Sequence, residues 1–358
     1  MRINLPPLTR GLFLFLLAIS SLNAALRFRK WSASLTARPG AAEAVNYVWA
    51  REFAIPYLVL LPTTAYKFPW TFLTAALVEN NLVSLAISGV VIWFGGRYLE
   101  RAWGSKEFGK FLLFVTMIPN LFACIVYVLW YAGTMTPTYP TPIQGLIALE
   151  AGFLVGLKQL VPEHTVSLLK GSVRIRIKHF PAIFVLANMI SGPLLGTDTA
   201  FWLSLTGFLT SWIYLRFYRI SEITTGAATG GEGAILKGDA SDTFSFVAFF
   251  PDALHPVLSP ICDGVWNAML ALRICAPFSD EAIEAGNEGA ASRSDGLPRH
   301  MDGRGGGGRR AEAERRRALA LKALDQRLNA ATANRVGVPS EEPADEGAEV
   351  EDAAEAQA

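Results

Sequence analysis

Glu150 stands inside the apolar run Pro142–Val161 and is the one carboxylate well within such a run. An ionisable group at membrane depth is costly to bury, so it is a candidate for proton or cation coupling. The plainer chemistry is structural: a protonated or hydrogen-bonded carboxyl held by Asn120, Asn188 or Thr206, which lie in other apolar runs. Lys158 is two helical turns further on, too far for a direct bond, and its long stem suits snorkelling to an interface. Cys124, Cys262 and Cys275 are odd in number and widely spaced, which fits neither a disulfide framework nor a CxxC site. The runs hold no paired carboxylates and no clustered metal ligands, so a metal, a cofactor and an enzyme of unfamiliar type are not expected. Without a phosphate-binding glycine loop or an aromatic-studded basic face, nucleotides and nucleic acids are not expected partners either.

The elements that must position Glu150 are membrane helices. The 358 residues are 51% hydrophobic and 18% charged, against about 25% charged in soluble domains, so lipid solvates much of the chain. A bilayer core of roughly 30 Å needs about 20 mainly apolar residues as helix. Spans are expected near 11–26, 81–98, 108–130, 142–161, 179–196 and 199–218, the third carrying Pro119 and Asn120 where a kink is tolerable. The sixth ends in the interfacial rim Trp212, Tyr214, Arg216, Tyr218 and Arg219. The first could be an anchor or a signal peptide, since Leu22-Asn23-Ala24 is a passable cleavage site.

Lys and Arg flank the junction of spans two and three and fill residues 158–178, whereas 131–141 and 197–198 have none. The positive-inside rule then puts both chain ends in the cytosol. Arg27, Arg29, Lys30, Arg38, Arg51 and Lys67 are discordant, lying in the long loop after span one. The alternation in Ile55–Trp70 suits a segment lying along the membrane surface, and long loops weigh little in the rule. The expected division is a bundle over 1–223, a linker and a cytosolic segment, membrane-apposed or packed under the bundle, over 224–275, and a mostly disordered tail over 276–358. Within that tail a helix is expected near 310–329. Leu321, Leu324 and Leu328 form its stripe beside Arg315, Arg316 and Arg317, which suits a partner-binding segment or contact with anionic lipid.

The stretch Gly95-Gly96-Arg97-Tyr98-Leu99-Glu100-Arg101-Ala102-Trp103-Gly104-Ser105 resembles the rhomboid superfamily at the end of its second core helix. The resemblance implies that Glu100 sits at a helix terminus and that Gly104 permits the turn. Trp70-Thr71-Phe72-Leu73-Thr74 looks like the preceding W-R-x-x-T segment with its Arg replaced. Residues 211–218 (SWIYLRFY), 246–251 (FVAFFP) and 313–324 (AERRRALALKAL) are similar to the transmembrane protein 115 family, and the likeness runs in order over roughly residues 10–330. Because that family also begins with a membrane helix, the first span is read as a retained anchor.

The resemblance also shows what is missing. A serine needs a base to act as a nucleophile. Ile147, in Gly145-Leu146-Ile147-Ala148, stands where the rhomboid nucleophile belongs, and Ser204 where the base belongs. Ser84 and Ser88 take the positions of the oxyanion-stabilising residues. His164, His179, His255 and His300 lie in loops, at a span's edge or in the tail, so no Ser-His dyad is expected in the bundle and no catalytic residue is assigned. Gly207 and Ser211 form a small-xxx-small pair beside Gly152 and Gly156, suited to close packing within the bundle or to a dimer face. The expected fold is an all-α, rhomboid-like bundle of six transmembrane helices with a partly disordered cytosolic tail. The resemblance implies a pseudoprotease of the Golgi membrane serving Golgi-to-endoplasmic-reticulum retrograde transport, with the conserved oligomeric Golgi complex as partner and self-association left open. The alternative is a transporter of small molecules or lipids centred on Glu150.

Overall fold

The computed structural model describes residues 5–37, 53–134, 141–161, 164–168, 173–195, 198–222, 235–271 and 277–295. These residues are mainly helical. Helix α1 (Pro7–Ala37) is followed by the irregular segment 53–81, then α2 (Leu82–Trp103, with a π turn at Ile92–Gly96) and α3 (Ser105–Thr134). Helices α4 (Ile147–Leu160), α5 (Phe180–Leu195) and α6 (Asp198–Ile213, prolonged by the π turn Tyr214–Tyr218) complete the bundle. Two short antiparallel pairs, Thr165–Leu168 with Val173–Arg176 and Ile220–Glu222 with Ile235–Lys237, sit at helix junctions. Among the described residues, α2, α3 and Pro7–Ala33 of α1 are long and apolar enough to cross a membrane unaided.

The helices are amphipathic in the sense that suits lipid. On α3, Phe108, Phe111, Val115, Pro119, Ala123 and Tyr127 are buried, while Leu113, Met117, Leu121, Ile125 and Val128 are exposed. Those outward side chains need hydrocarbon around them. On α1 the buried stripe is largely polar: Thr9, Leu16, Ser20, Asn23 and Arg27 face inward, and Leu14, Phe15, Leu17, Leu22 and Phe28 face out. Arg27 is only 3% exposed and lies 3.4 Å from Asn80 Oδ1, so it does not end the helix and is not a loop charge. The first helix therefore runs well beyond the expected limit at residue 26.

One further expectation, the start of α4, is corrected, and residues 55–70 supply the reason by packing in part against the bundle. Ile55, Val59 and Leu60 are buried, and Leu60 exchanges both backbone hydrogen bonds with Ile143 (2.9 and 3.2 Å). That bridge holds Thr141–Leu146 in non-helical form, so α4 starts at Ile147 rather than Pro142. Non-helical backbone at this depth is tolerable because protein, not lipid, surrounds it. With 14 residues, about 21 Å at 1.5 Å per residue, α4 is short for a bilayer. It is shielded by its neighbours: Leu149, Phe153 and Val155 are all buried.

Glycine sets the central packing. A Cβ on Gly207 of α6 would lie 2.5 Å from the Ala148 carbonyl oxygen of α4, so the two backbones touch there. Gly152 faces Val115, Phe111 and Ser211, and Gly156 faces Leu99 and Trp103. The small-residue face thus packs within the chain.

Beneath the bundle, residues 238–250 form a layer in which buried Phe249 packs against Phe208 and buried Phe244 against Phe249. Helix α7 (His255–Ala271) and helix α8 (Asp280–Asp295) follow. The latter corrects the expectation of a tail disordered from residue 276. A Cβ on Gly286 would meet Ser241 N at 2.9 Å, and Asn287 is doubly hydrogen-bonded to Asp242 (2.9 and 3.0 Å). The Ala- and Gly-rich composition that looked disordered is what lets α8 approach that backbone.

Candidate functional site

A cavity of about 330 Å³ opens at the end of the bundle opposite the start of α1, bounded by α1, α2, the 141–146 segment, α4 and the start of α6. Asn81 opens α2 as its N-cap, its side-chain oxygen accepting from Ser84 N at 2.6 Å, and this turns Ser84 and Ser88 toward the cavity. Glu79 Oε1 accepts from Ser88 Oγ at 2.8 Å and from the Leu146 amide at 3.0 Å. Glu150 Oε1 lies 3.2 Å from the same Ser88 hydroxyl. Arg27, Gln144 and Asp198 are also in the polar part of the wall, and Tyr127 donates to Asp198 at 3.1 Å.

Ser88 has one hydrogen and faces two carboxyl groups. It donates to one at a time, and the second contact is a hydrogen bond only when that carboxyl carries a proton and donates back. The site is thus a hydroxyl-bridged carboxyl pair with a guanidinium in the same wall, an arrangement that can hold a proton, a small cation or a cationic side chain.

Glu150 is therefore not held as expected. Asn120 donates to Phe72 O at 2.7 Å, Asn188 to Phe184 O at 2.9 Å and Thr206 to Trp202 O at 2.6 Å, so all three serve backbone carbonyls. The partner that reading the sequence missed is Glu79. It lies outside the apolar runs, and the only available signal was the polar triplet Glu79-Asn80-Asn81 directly ahead of one.

Ile147 begins α4 beside this cavity, and Ser204 is buried on α6 with its hydroxyl donating to Phe201 O at 3.0 Å. Of the described histidines none lines the cavity: His179 and His255 bond to Phe249 O and Phe250 O, and His164 is exposed. At the opposite end, Glu100 is buried and accepts from Leu8 N (3.1 Å), Thr9 N (2.7 Å), Thr9 Oγ1 (2.7 Å) and Ser105 Oγ (2.7 Å). Its carboxylate caps the first turn of α1 from another helix, where orphan amides and the helix dipole favour a negative group. Gly104 joins α2 to α3 at φ 81°, a conformation that favours glycine. Arg315, Arg316, Arg317, Leu321, Leu324 and Leu328 lie outside the described residues.

Lys158 departs most from expectation. It does not snorkel: it is 1% exposed, its Nζ stands 3.3 Å from the centre of the Phe249 ring and 5.5 Å from that of Phe244, and it has no hydrogen-bond partner. The ring faces offset part of the burial cost, as cation–π contacts do. Lys158→Met, which keeps the packing and removes the polar head, is expected to leave stability unchanged or raise it by about 1–2 kcal/mol. Lys158→Ala should lose roughly 2–4 kcal/mol by opening a cavity. Thermal unfolding of the detergent-solubilised protein separates the two.

A six-helix membrane bundle with a short buried fourth helix and a polar cavity at its N-terminus defines a rhomboid-like membrane protein. Over residues 10–330 the sequence matches the family described as eukaryotic integral membrane protein (DUF1751), and the chain belongs to that family. It is 32% identical over 277 residues to Rhomboid-like protein 19 of Arabidopsis thaliana, covering 76% of this chain and 81% of that one. It is 30% identical over 300 residues to Transmembrane protein 115 of Homo sapiens (80% and 76%) and 29% over 290 residues to the Transmembrane protein 115 homolog of Saccharomyces cerevisiae (76% and 80%). The family likeness read from residues 211–218, 246–251 and 313–324 agrees with these matches.

Proposed function

We propose that this chain is a non-catalytic, rhomboid-like component of the Golgi membrane that serves vesicular traffic, in particular Golgi-to-endoplasmic-reticulum retrograde transport. In this reading the bundle binds membrane cargo and the C-terminal region binds cytosolic tethering factors of the conserved oligomeric Golgi complex type. The observation that carries it is the composition of the cavity wall: Ile147 stands where a rhomboid nucleophile would, and the wall holds carboxyl groups but no histidine among the described residues. Without a serine-histidine dyad in that wall, the cavity in this reading binds a membrane segment and does not cleave it by the rhomboid mechanism. Both chain ends are cytosolic in this reading. The buried position of Arg27 supports that orientation, because it removes one discordant charge from the loop after α1.

The test is affinity capture of the tagged protein from mild detergent, comparing the full chain with one truncated after Gly308. Tether and coat subunits present with the full chain and lost on truncation are the expected result. Their absence from both would overturn the tethering role, and a list unchanged by truncation would take the 310–329 segment out of it.

A second reading, transport of a small molecule or lipid, is favoured by the Glu79–Ser88–Glu150 bridge. Glu150→Gln separates the two. Cargo return measured in cells lacking the native protein is expected to survive the replacement, because an amide retains the bond to Ser88. Loss of function with a folded bundle and an unchanged partner list would favour carboxyl-coupled transport.

A further inference from the structure

Helix α7 is fixed at both ends to one face of the bundle. At its start, Lys178 Nζ lies 3.4 Å from Asp252 Oδ1, and His179, one residue before α5, donates to Phe249 O at 3.1 Å. Toward its end, Trp266 lies nearly parallel to Phe217, in the π turn that ends α6, and to Phe278 (ring centroids 5.6–6.0 Å apart among the three, planes 13° or less apart). The start of α5 and the end of α6 belong to the same end of the bundle, since the two helices form a hairpin. Tyr214 also reaches Glu107 at the start of α3 (3.3 Å). A helix of 17 residues, about 25 Å long, tied at both ends to this face runs across it rather than away from it.

Its side chains divide into three arcs. Trp266, with Cys262 and Leu258 one and two turns back, is partly buried on the bundle side. Asp263 and Asn267 are exposed on another side. Val257, Ile261 and Val265 recur at i, i+4 and i+8, within an arc of about 80° at 3.6 residues per turn, and with Leu254 in the 3-10 turn just before the helix they are 47–64% exposed. None of Pro251–Ala271 is Lys or Arg. Next to the start of α7 rises the outward face of α5, whose Ile183, Leu186, Met189, Ile190 and Leu194 are exposed and require lipid. Leu254, where the stripe starts, follows two residues after Asp252, which Lys178 holds two residues before α5.

We infer that α7 lies in the plane of the membrane interface, with Leu254, Val257, Ile261 and Val265 seated in the acyl region and Asp263 and Asn267 turned to water. The occupant of the stripe is the bilayer that already surrounds α5, and attachment is by apolar burial, independent of anionic lipid. This stands apart from the trafficking reading.

The test uses the full chain in phosphatidylcholine vesicles, with Cys262→Ala and Cys275→Ala and the buried Cys124 left in place. Single cysteines are introduced by Val257→Cys, Ile261→Cys, Val265→Cys or Asn267→Cys and labelled with an environment-sensitive fluorophore. A single symmetric gel-filtration peak is the criterion of folding, with Leu254→Cys replacing any stripe variant that fails it. The expected result is short-wavelength emission at the three stripe positions, quenched by nitroxide-bearing phosphatidylcholine and resistant to iodide, with the reverse at Asn267. Iodide quenching equal at all positions would overturn the inference in favour of water. Short-wavelength emission insensitive to lipid nitroxide would overturn it in favour of a protein cover, a second copy or this chain's residues 310–329.

Discussion

Glu100→Ala is expected to lower the stability of the solubilised protein by about 3 kcal/mol, because it leaves buried donors without an acceptor. The carboxylate accepts four hydrogen bonds, two of them from the backbone amides of Leu8 and Thr9 at the first turn of α1. Thr9 is fully buried, so its amide and hydroxyl cannot turn to water when the acceptor is removed. Glu100→Gln keeps one acceptor oxygen but aims a donor amide at other donors, so it should fall between Glu100→Ala and the native protein. Thr9→Ala, which deletes one hydroxyl and leaves the carboxylate in place, should lose only about 1 kcal/mol. Melting temperatures in one detergent provide the ranking. If Glu100→Ala melts with the native protein, this carboxylate does not hold α1 in place.

Gly207→Ala is expected to cost at least about 3 kcal/mol, at or above the usual range for overpacking. The added methyl would sit 2.5 Å from the Ala148 oxygen and 2.7 Å from its Cα, and backbone cannot rotate aside as a side chain can. Relief requires α4 and α6 to separate, and α4 carries Glu150 and the Ile147 edge of the cavity. The damage should therefore reach the site as well as the melting temperature. Gly133→Ala is the control: its Cβ meets nothing within 4 Å, and alanine in a helix is favoured by up to about 1 kcal/mol over glycine. A change of oligomeric state without loss of stability in Gly207→Ala would mean instead that Gly207 serves a contact between copies.

Much of the bundle was legible in the chain because hydropathy measures what lipid demands of a helix. The runs expected to span at 81–98 and 108–130 lie within α2, but for the N-cap Asn81, and within α3. What escaped was polar pairing over long sequence distance. Arg27 looked like the end of a helix because its acceptor, Asn80, is 53 residues away. Glu150 was matched to Asn120, Asn188 and Thr206 because these share the apolar runs, yet its contact is Ser88, and Glu79 was never in view. Lys158 looked like an interfacial lysine because the rings that receive it belong to residues 244 and 249, read as a separate segment. Pro142–Leu146 is apolar enough to read as helix, but its partner Leu60 holds Ile143 in an extended bridge. Composition records the transfer cost of each residue and says nothing of which distant group removes it.

The inward polar stripe of α1 bears on the order in which the protein is made. The chain emerges from its N-terminus, so α1 meets the lipid before its partners exist. Arg27 lacks Asn80, Ser20 lacks the Leu77 carbonyl (3.2 Å) and Thr9 lacks Glu100 until synthesis has passed residue 100. An arginine at the centre of a lone membrane helix costs about 2.5–3.5 kcal/mol on translocon scales and less toward its ends. The first helix is thus a provisional resident of the bilayer, and its final depth is fixed retroactively when the second arrives.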